Sequence, residues 1–233
     1  MTILGIDTAG RTMSVALLEN DTLLCEQTLA TGLTHSETLL PTVDAVLKAA
    51  GKTCADIDLF GVCAGPGSFT GLRIGLCAVK GLAFPANTPC AAVSTLEALA
   101  WSHAGTGTVV AAQDARRGEV YWAAFDLATH QRITPDAASP VEEIRTVAET
   151  CPKPLLFVGD GAHLCESAFS AVPGVLPCPA ALRVARAAGV CLAAKAMAER
   201  GETCPPAALL PSYHRLSQAE RQRAERLAQT TEG

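Results

Sequence analysis

Ten cysteines occur in this sequence, at positions 25, 54, 63, 77, 90, 151, 165, 178, 191 and 204, and no two of them form a CxxC pair. Structural zinc sites usually need closely spaced Cys or His pairs, so that reading is disfavoured. The five histidines, His35, His103, His130, His163 and His214, never pair at three or four residues' spacing, so they build no helical metal face by themselves. There is no GxSxG elbow, which leaves a serine nucleophile unsupported. The opening MTILGIDTAGR has no basic head, no apolar run of signal length and no small-residue cleavage site. The longest Ala-rich stretch, residues 179–197, is interrupted by Arg183, Arg186 and Lys195 and makes a poor membrane span. Together these absences predict a cytoplasmic protein with ten reduced thiols, dispersed through apolar stretches such as Val62-Cys63-Ala64 as small hydrophobes. Charge is scarce too, at 18% of residues. Eighteen basic against 23 acidic side chains give a net charge of -5, the wrong sign for a surface that grips nucleic acid all over. An RNA role therefore needs a local basic patch or a partner.

What the chain does have is apolar residues, 49% of its 233, enough for a large core and for two domains. Residues 2–6 form a short apolar run ending at Asp7, followed by small and polar residues and a second apolar run at 14–18. That reads as strand, tight turn, strand. The pattern returns at 108–113, where Asp114 is followed by Ala115-Arg116-Arg117-Gly118 and the β-prone run 120–125. The two aspartates lie 107 positions apart, which suggests a duplicated α/β unit, although Asp also suits turns for local reasons.

Two helices are predicted between the hairpins. In residues 36–50, Leu39, Leu40, Val43, Val46, Leu47 and Ala50 recur at helical spacing, with Thr34 or Ser36 as cap, Gly51 as terminator and Pro41 expected near the first turn. A strand at 59–64 leads into Gly65-Pro66-Gly67, after which Ser68 caps a helix over 69–84. That helix carries three glycines, Gly71, Gly75 and Gly81, each costing about 1 kcal/mol relative to Ala, so close contact with another backbone is expected. Residues 128–140 read as a loop, 155–158 as a strand ending in Gly159-Asp160-Gly161, 183–200 as a helix, and 217–229 as a solvated helix or tail.

The glycine turn before Ser68 reads either as an anion site at a helix N-terminus or as a tight turn permitting close packing. It matches neither a Walker loop, since Thr70-Gly71-Leu72-Arg73 stands where Gly-Lys-Ser/Thr is needed, nor GxGxxG. Asp7, Asp114 and Asp160 are compatible with a hydrated Mg²⁺.

Several blocks carry a family signal: Ile3 to Thr8, His35-Ser36-Glu37-Thr38-Leu39-Leu40-Pro41, Gly65-Pro66-Gly67-Ser68-Phe69-Thr70-Gly71-Leu72-Arg73-Ile74-Gly75, Val93-Ser94-Thr95-Leu96-Glu97, and Asp114-Ala115-Arg116-Arg117-Gly118-Glu119-Val120-Tyr121. In this order they resemble the TsaB (YeaZ-type) family, dimerisation subunits of the bacterial tRNA threonylcarbamoyladenosine machinery. The likeness is close over the first half and thins beyond residue 129 to Gly159-Asp160-Gly161 and Pro211-Ser212-Tyr213-His214-Arg215.

The resemblance implies an α/β, actin-like (sugar kinase/Hsp70-type) duplicated two-lobe fold with mixed sheets flanked by helices. Residues 1–106 would form the N-terminal lobe, 107–205 the C-terminal lobe, and 206–233 a segment packing back on the N-terminal lobe. It implies a non-catalytic scaffold that dimerises with the catalytic paralogue TsaD, alongside the ATPase TsaE, in N6-threonylcarbamoylation of the adenosine beside the anticodon of ANN-decoding tRNAs. The tRNA would be met indirectly through the complex, and the chain alone would form a homodimer, with no membrane involved.

In the paralogue a His-x-x-x-His motif holds the metal; the matching positions here are Thr95 and Leu99, which cannot replace imidazole, so no metal and no cofactor are expected. A vestigial nucleotide cleft would comprise Asp7, Gly65, Gly67, Ser68, Asp114 and Gly161. The partner surface would comprise His35, Leu39, Leu40, Val43, Leu47, Thr70, Gly71, Leu72, Gly75 and Ala78, so that Gly75→Leu would weaken partner binding while the monomer stays folded. Arg73, Arg116 and Arg117 are charged residues suited to RNA or a partner. The alternative implied function is a nucleotide-binding actin-like protein with cleft activity of its own, although Asp7-Thr8-Ala9-Gly10-Arg11-Thr12 lacks a glycine-rich phosphate loop.

Overall fold

The computed structural model describes residues 1–214. The sequence expectations for 215–233, including the helix or tail at 217–229 and Arg215 of the terminal motif, lie outside the described residues.

Ten strands form two sheets of five. The first contains β1 (Thr2–Asp7), β2 (Met13–Glu19), β3 (Thr22–Leu29), β4 (Leu59–Gly65) and β5 (Cys90–Ser94) in the order β3-β2-β1-β4-β5. The second contains β6 (Thr108–Arg116), β7 (Glu119–Asp126), β8 (Ala137–Pro140), β9 (Leu155–Val158) and β10 (Val175–Leu176) in the order β10-β9-β6-β7-β8. In each sheet the first three strands form an antiparallel meander and the last two add in parallel to its first strand. Replacing β1 to β5 by β6, β7, β8, β9 and β10 turns one topology into the other. The repeat read from the two aspartates is therefore a duplication of the whole sheet, and the fold is actin-like. β1 and β4 are buried along their full lengths, as strands covered on both faces must be.

Around the sheets lie α1 (His35–Ala49), α2 (Phe69–Ala83), α3 (Thr95–Trp101), α4 (Arg145–Thr150), α5 (Ala162–Phe169) and α6 (Ala187–Glu199). The helix α1 starts after Thr34 and ends as expected at Gly51: the Gly51 N–H donates to Lys48 O and the Lys52 N–H to Leu47 O, a Schellman closure with Gly51 at φ +64°. Pro41 is its seventh residue, further in than expected, on the exposed side. Leu39, Val43, Val46 and Leu47 face the first sheet's core with Leu4, Val15, Phe60 and Leu76.

The lobes exchange helices. α3 comes from the first 106 residues, yet Leu96, Leu99 and Ala100 pack with Val109, Ala111, Ala123 and Phe125 of the second sheet. α6 follows the second sheet in sequence, yet Ala187, Val190, Cys191 and Ala194 pack with Ile3, Ala16 and Leu59 of the first. Gly61 makes the second contact possible, because a Cβ there would stand 2.8 Å from Ala194 Cβ. α6 starts at Ala187 rather than near 183, and has no N-cap of its own. Its first amides are capped from the other lobe: the Ala187 N–H donates to Ser14 Oγ (3.0 Å), the Ala188 N–H to Glu26 Oε1 (2.9 Å), and Arg186 pairs with Glu26. The last described residues then return to the first sheet. The Cys204 and Cys90 backbones exchange two N–H···O bonds (2.9 and 2.8 Å) in an antiparallel β-bridge, both thiols staying free, Leu209 is fully buried, and the Ser212 N–H donates to Ala64 O at 2.7 Å.

Candidate functional site: the interlobe cleft and the outer face of α2

Asp7 ends β1 fully buried. Its Oδ1 accepts the Ala9 N–H at 2.8 Å and its Oδ2 has no hydrogen-bond partner. Burial raises its pKa to about 6, a rise that the Ala9 amide opposes. The same device recurs at the end of β6, where Asp114 Oδ1 accepts the Arg116 N–H at 2.7 Å. Each aspartate thus closes an Asx turn two residues on, and this local chemistry underlies the sequence repeat.

Several further donors around the cleft are used internally. Ala9 O accepts the Ser68 N–H at 2.7 Å, and Ser68 Oγ caps α2 by accepting the Gly71 N–H at 3.3 Å. Thr8 Oγ1 donates to Gly71 O at 2.7 Å, and His35 Nε2 lies 3.0 Å from Gly10 O. Gly67 sits where a Cβ would be 2.6 Å from Ala9 O. The glycine turn before α2 is therefore a close-packing turn seated on the β1–β2 turn. On the other lobe the Gly161 N–H donates to Ala112 O, and the Asp114 N–H to Asp160 Oδ1 at 2.9 Å. Burial pushes the Asp160 carboxyl up from its ordinary value.

Of the six expected cleft residues, Asp7, Gly67 and Ser68 meet at the β1–β2 turn. Gly65 lies under Ser212, and Asp114 and Gly161 meet on the second sheet. No cluster of three His, Cys, Asp or Glu side chains able to hold a metal exists among the described residues, so Asp7, Asp114 and Asp160 do not assemble into a Mg²⁺ site. Thr95 and Leu99 are both fully buried, and Leu99 offers no donor atom. Between the lobes lies a cavity of about 310 Å³, lined by Gly10, Arg11, Thr12, Leu99, Gln113, Asp160, His163 and Arg183 among others. Gln113 and Arg11 escaped the sequence reading because nothing local marks them; only the meeting of two turns brings them together.

The β6–β7 turn carries backbone strain. Register pairs Arg116 with Glu119, which leaves Arg117-Gly118 as a two-residue loop, and Arg116, Arg117 and Gly118 have φ of +68°, +59° and +78°. Such hairpin loops favour Asn-Gly, and a left-handed conformation costs a side-chain-bearing residue roughly 1–2 kcal/mol.

The ten residues expected at a partner surface divide sharply. Leu39, Val43, Leu47 and Leu72 are core residues, and Gly71 and Gly75 are buried against Thr8, with a Cβ placed 2.1 Å from Thr8 O and 2.4 Å from Thr8 Oγ1 respectively. The close contact inferred for the glycine stripe is therefore an internal one, and Gly75→Leu would disturb the monomer itself. Leu40 and Thr70 are exposed, and His35 and Ala78 half-buried. Gly81 differs from the other glycines of α2: nothing lies within 4 Å of a Cβ there. It shares the outer face with Ile74, Cys77, Ala78 and, just beyond the helix, Phe84, which is 73% exposed. Residues 69–86 are apolar and long enough to cross a membrane by composition, yet only 33% of the stretch is buried within the fold. At the start of α2 Tyr213 stacks on Phe69 (ring centroids 3.9 Å, interplanar angle 3°), and Arg73 Nε donates to Tyr213 Oη at 3.0 Å.

Duplicated five-stranded sheets, exchanged helices and a strand-Asp-turn-strand hairpin on each side of a cleft define an actin-like two-lobe protein. Residues 30–222 match the family model described as "TsaD: tRNA N6-adenosine threonylcarbamoyltransferase". The Bacillus subtilis tRNA threonylcarbamoyladenosine biosynthesis protein TsaB is 33% identical over 177 residues, 75% of this chain and 77% of that protein. The Escherichia coli protein of the same name is 43% identical over 133 residues, 54% of this chain and 55% of its own length, so the match spans little more than half of that relative. A crystal structure of a Pseudomonas aeruginosa protein with similarity to peptidase YeaZ superposes with a TM-score of 0.79 at 31% identity, covering 92% of this chain and 99% of that one. The chain belongs to the TsaB/YeaZ family, as its sequence motifs imply.

Proposed function

We propose that this chain is the non-catalytic, activating subunit of a tRNA threonylcarbamoyltransferase complex, dimerising with the catalytic paralogue TsaD in N6-threonylcarbamoylation of the adenosine beside the anticodon of ANN-decoding tRNAs. The observation that carries the reading is the outer face of α2. An outer helix face on which Ile74, Cys77, Ala78, the open Gly81 and the protruding Phe84 lie beside Thr70, Arg73 and Lys80 suits cover by a second protein. Gly81 lets a partner backbone approach closely, and Phe84 supplies an anchor. Leu40 of α1 adds to the exposed apolar residues. In this reading Leu99, which has no donor atom, and Thr95, whose hydroxyl is a poor ligand for a transition metal, leave transfer to the paralogue, with the ATPase TsaE as a further member of a cytoplasmic assembly. Without a partner the same surface pairs two copies of this chain.

A nucleotide-hydrolysing cleft is the weaker reading, because the first turn lacks a glycine-rich phosphate loop and the Ala9, Ser68, Arg116 and Gly161 amides already donate to Asp7, Ala9, Asp114 and Ala112. Light scattering on the chain alone and mixed with the paralogue of the same organism tests the proposal, followed by transfer from threonylcarbamoyl-adenylate to tRNA. A heterodimer is expected, active only with both chains present. Phe84→Glu should weaken it by about 2 kcal/mol or more while leaving the monomer's circular dichroism unchanged. Transfer by this chain alone, or a Phe84→Glu chain that dimerises as tightly as wild type, would refute it.

A further inference from the structure

The two turns facing each other across the cleft hold three arginines, none of them in an ion pair closer than 3.8 Å. Among the described residues, Arg11, Lys80 and Arg117 are the basic side chains with neither an ion pair nor a hydrogen bond, and two of these three lie in the β1–β2 and β6–β7 turns. Arg116, beside Arg117, has only a loose contact to Asp114 at 3.8 Å and is itself largely exposed. Arg11 and Asp160 line the same cavity from opposite lobes, and the Arg116 hairpin is tied to that rim through Asp114, whose N–H donates to Asp160 Oδ1 at 2.9 Å and whose Oδ1 accepts the Arg116 N–H at 2.7 Å. The strained loop sets Arg117 at the tip of the hairpin, where an unstrained Asn-Gly would serve the turn alone. In a chain of net charge -5, three guanidinium groups gather here beside the carboxylates Asp114 and Asp160, with Glu119 opposite Arg116 in the hairpin register.

We infer that Arg11, Arg116 and Arg117 form a direct contact for the phosphodiester backbone of RNA across the mouth of the cleft. The RNA identity rests on the proposed function; the anion site rests on the geometry. A nucleoside polyphosphate fits less well, since neither turn has the sequence of a phosphate loop, the Ala9 and Arg116 amides already donate to Asp7 and Asp114, and the buried Asp7 cannot serve an accompanying metal. Guanidinium groups at the rim suit singly charged phosphates passing over the surface. Arg73 takes no part, because Tyr213 and Phe69 hold its guanidinium.

The test is fluorescence anisotropy of labelled tRNA titrated, over a series of salt concentrations, with the full chain alone and with its complex with the catalytic paralogue. Arg11→Gln and Arg117→Gln should each raise Kd several-fold and lower the slope of log affinity against log salt by about one, with Arg145→Gln on α4 unchanged as control. Unchanged affinity and slope in variants that still dimerise would overturn the inference. So would loss of ATP binding with tRNA binding intact, which would assign the arginines to a nucleotide. Failure of the wild-type chains to associate would instead overturn the proposed function, and the titration of the chain alone still decides the arginines.

Discussion

Asp7 looks in sequence like a candidate ligand at a strand end, yet its carboxylate faces the interior. Residue type and position were legible, because an Asx turn needs Asp where β1 stops; direction was not, because burial is decided by the sheet and by α2 packed above it. Burial has a measurable consequence. A folded pKa of about 6 against 3.8 in the unfolded chain means the native state holds the proton more tightly. The stability this gives is full below pH 3.8, declines as pH rises toward 6, and is gone above it. The linkage is worth about 3 kcal/mol. Asp7→Asn keeps an acceptor for the Ala9 N–H and abolishes the titration. Urea unfolding at pH 4, 5.5 and 7 should therefore show the variant gaining on wild type as pH rises; parallel pH profiles would refute the assignment.

At the scale of elements, the long periodic helices α1 and α2 and the strands around Asp7 and Asp114 were readable from spacing alone. The edge strand β3 was not, since its exposed and half-exposed residues follow no clean alternation, and α3 spans only seven residues. The α2 glycines show what periodicity leaves open. Three glycines announce close contact but not with what, and the structure assigns Gly71 and Gly75 to Thr8 while leaving Gly81 facing outward. Two substitutions separate these roles. Gly71→Ala drives a methyl to within 2.1 Å of Thr8 O and should cost about 1–3 kcal/mol in urea unfolding. Gly81→Ala meets open space and should stabilise the isolated chain by up to about 1 kcal/mol. Equal effects at the two positions would mean that α2 is not seated on the β1–β2 turn as described.

At the scale of the molecule, the duplicated hairpins pointed to two lobes, but a boundary near residue 106 follows the chain and not the packing. Helices α3 and α6 trade places, so each sheet is completed by a helix encoded on the far side of that boundary, and the segment ending at His214 returns to cover β5 and the start of α2. Such crossing is hidden from a linear reading, because an apolar face carries no label for the sheet it will cover. It also couples the lobes energetically. Loss of the first sheet would strip α6 of its amide caps at Ser14 and Glu26 and bare α3, which then exposes Val109 and Phe125 of the second. The two tryptophans allow a test, since Trp101 belongs to α3 beside the first-lobe cluster and Trp122 to β7, its Nε1–H donating to Ser139 Oγ at 3.0 Å. Single-tryptophan variants, Trp101→Phe and Trp122→Phe, should report one shared urea transition after correction for their own stabilities. Within each variant the fluorescence midpoint should coincide with that from circular dichroism. Separate midpoints would show that the lobes unfold independently and that the exchanged helices carry little of the coupling.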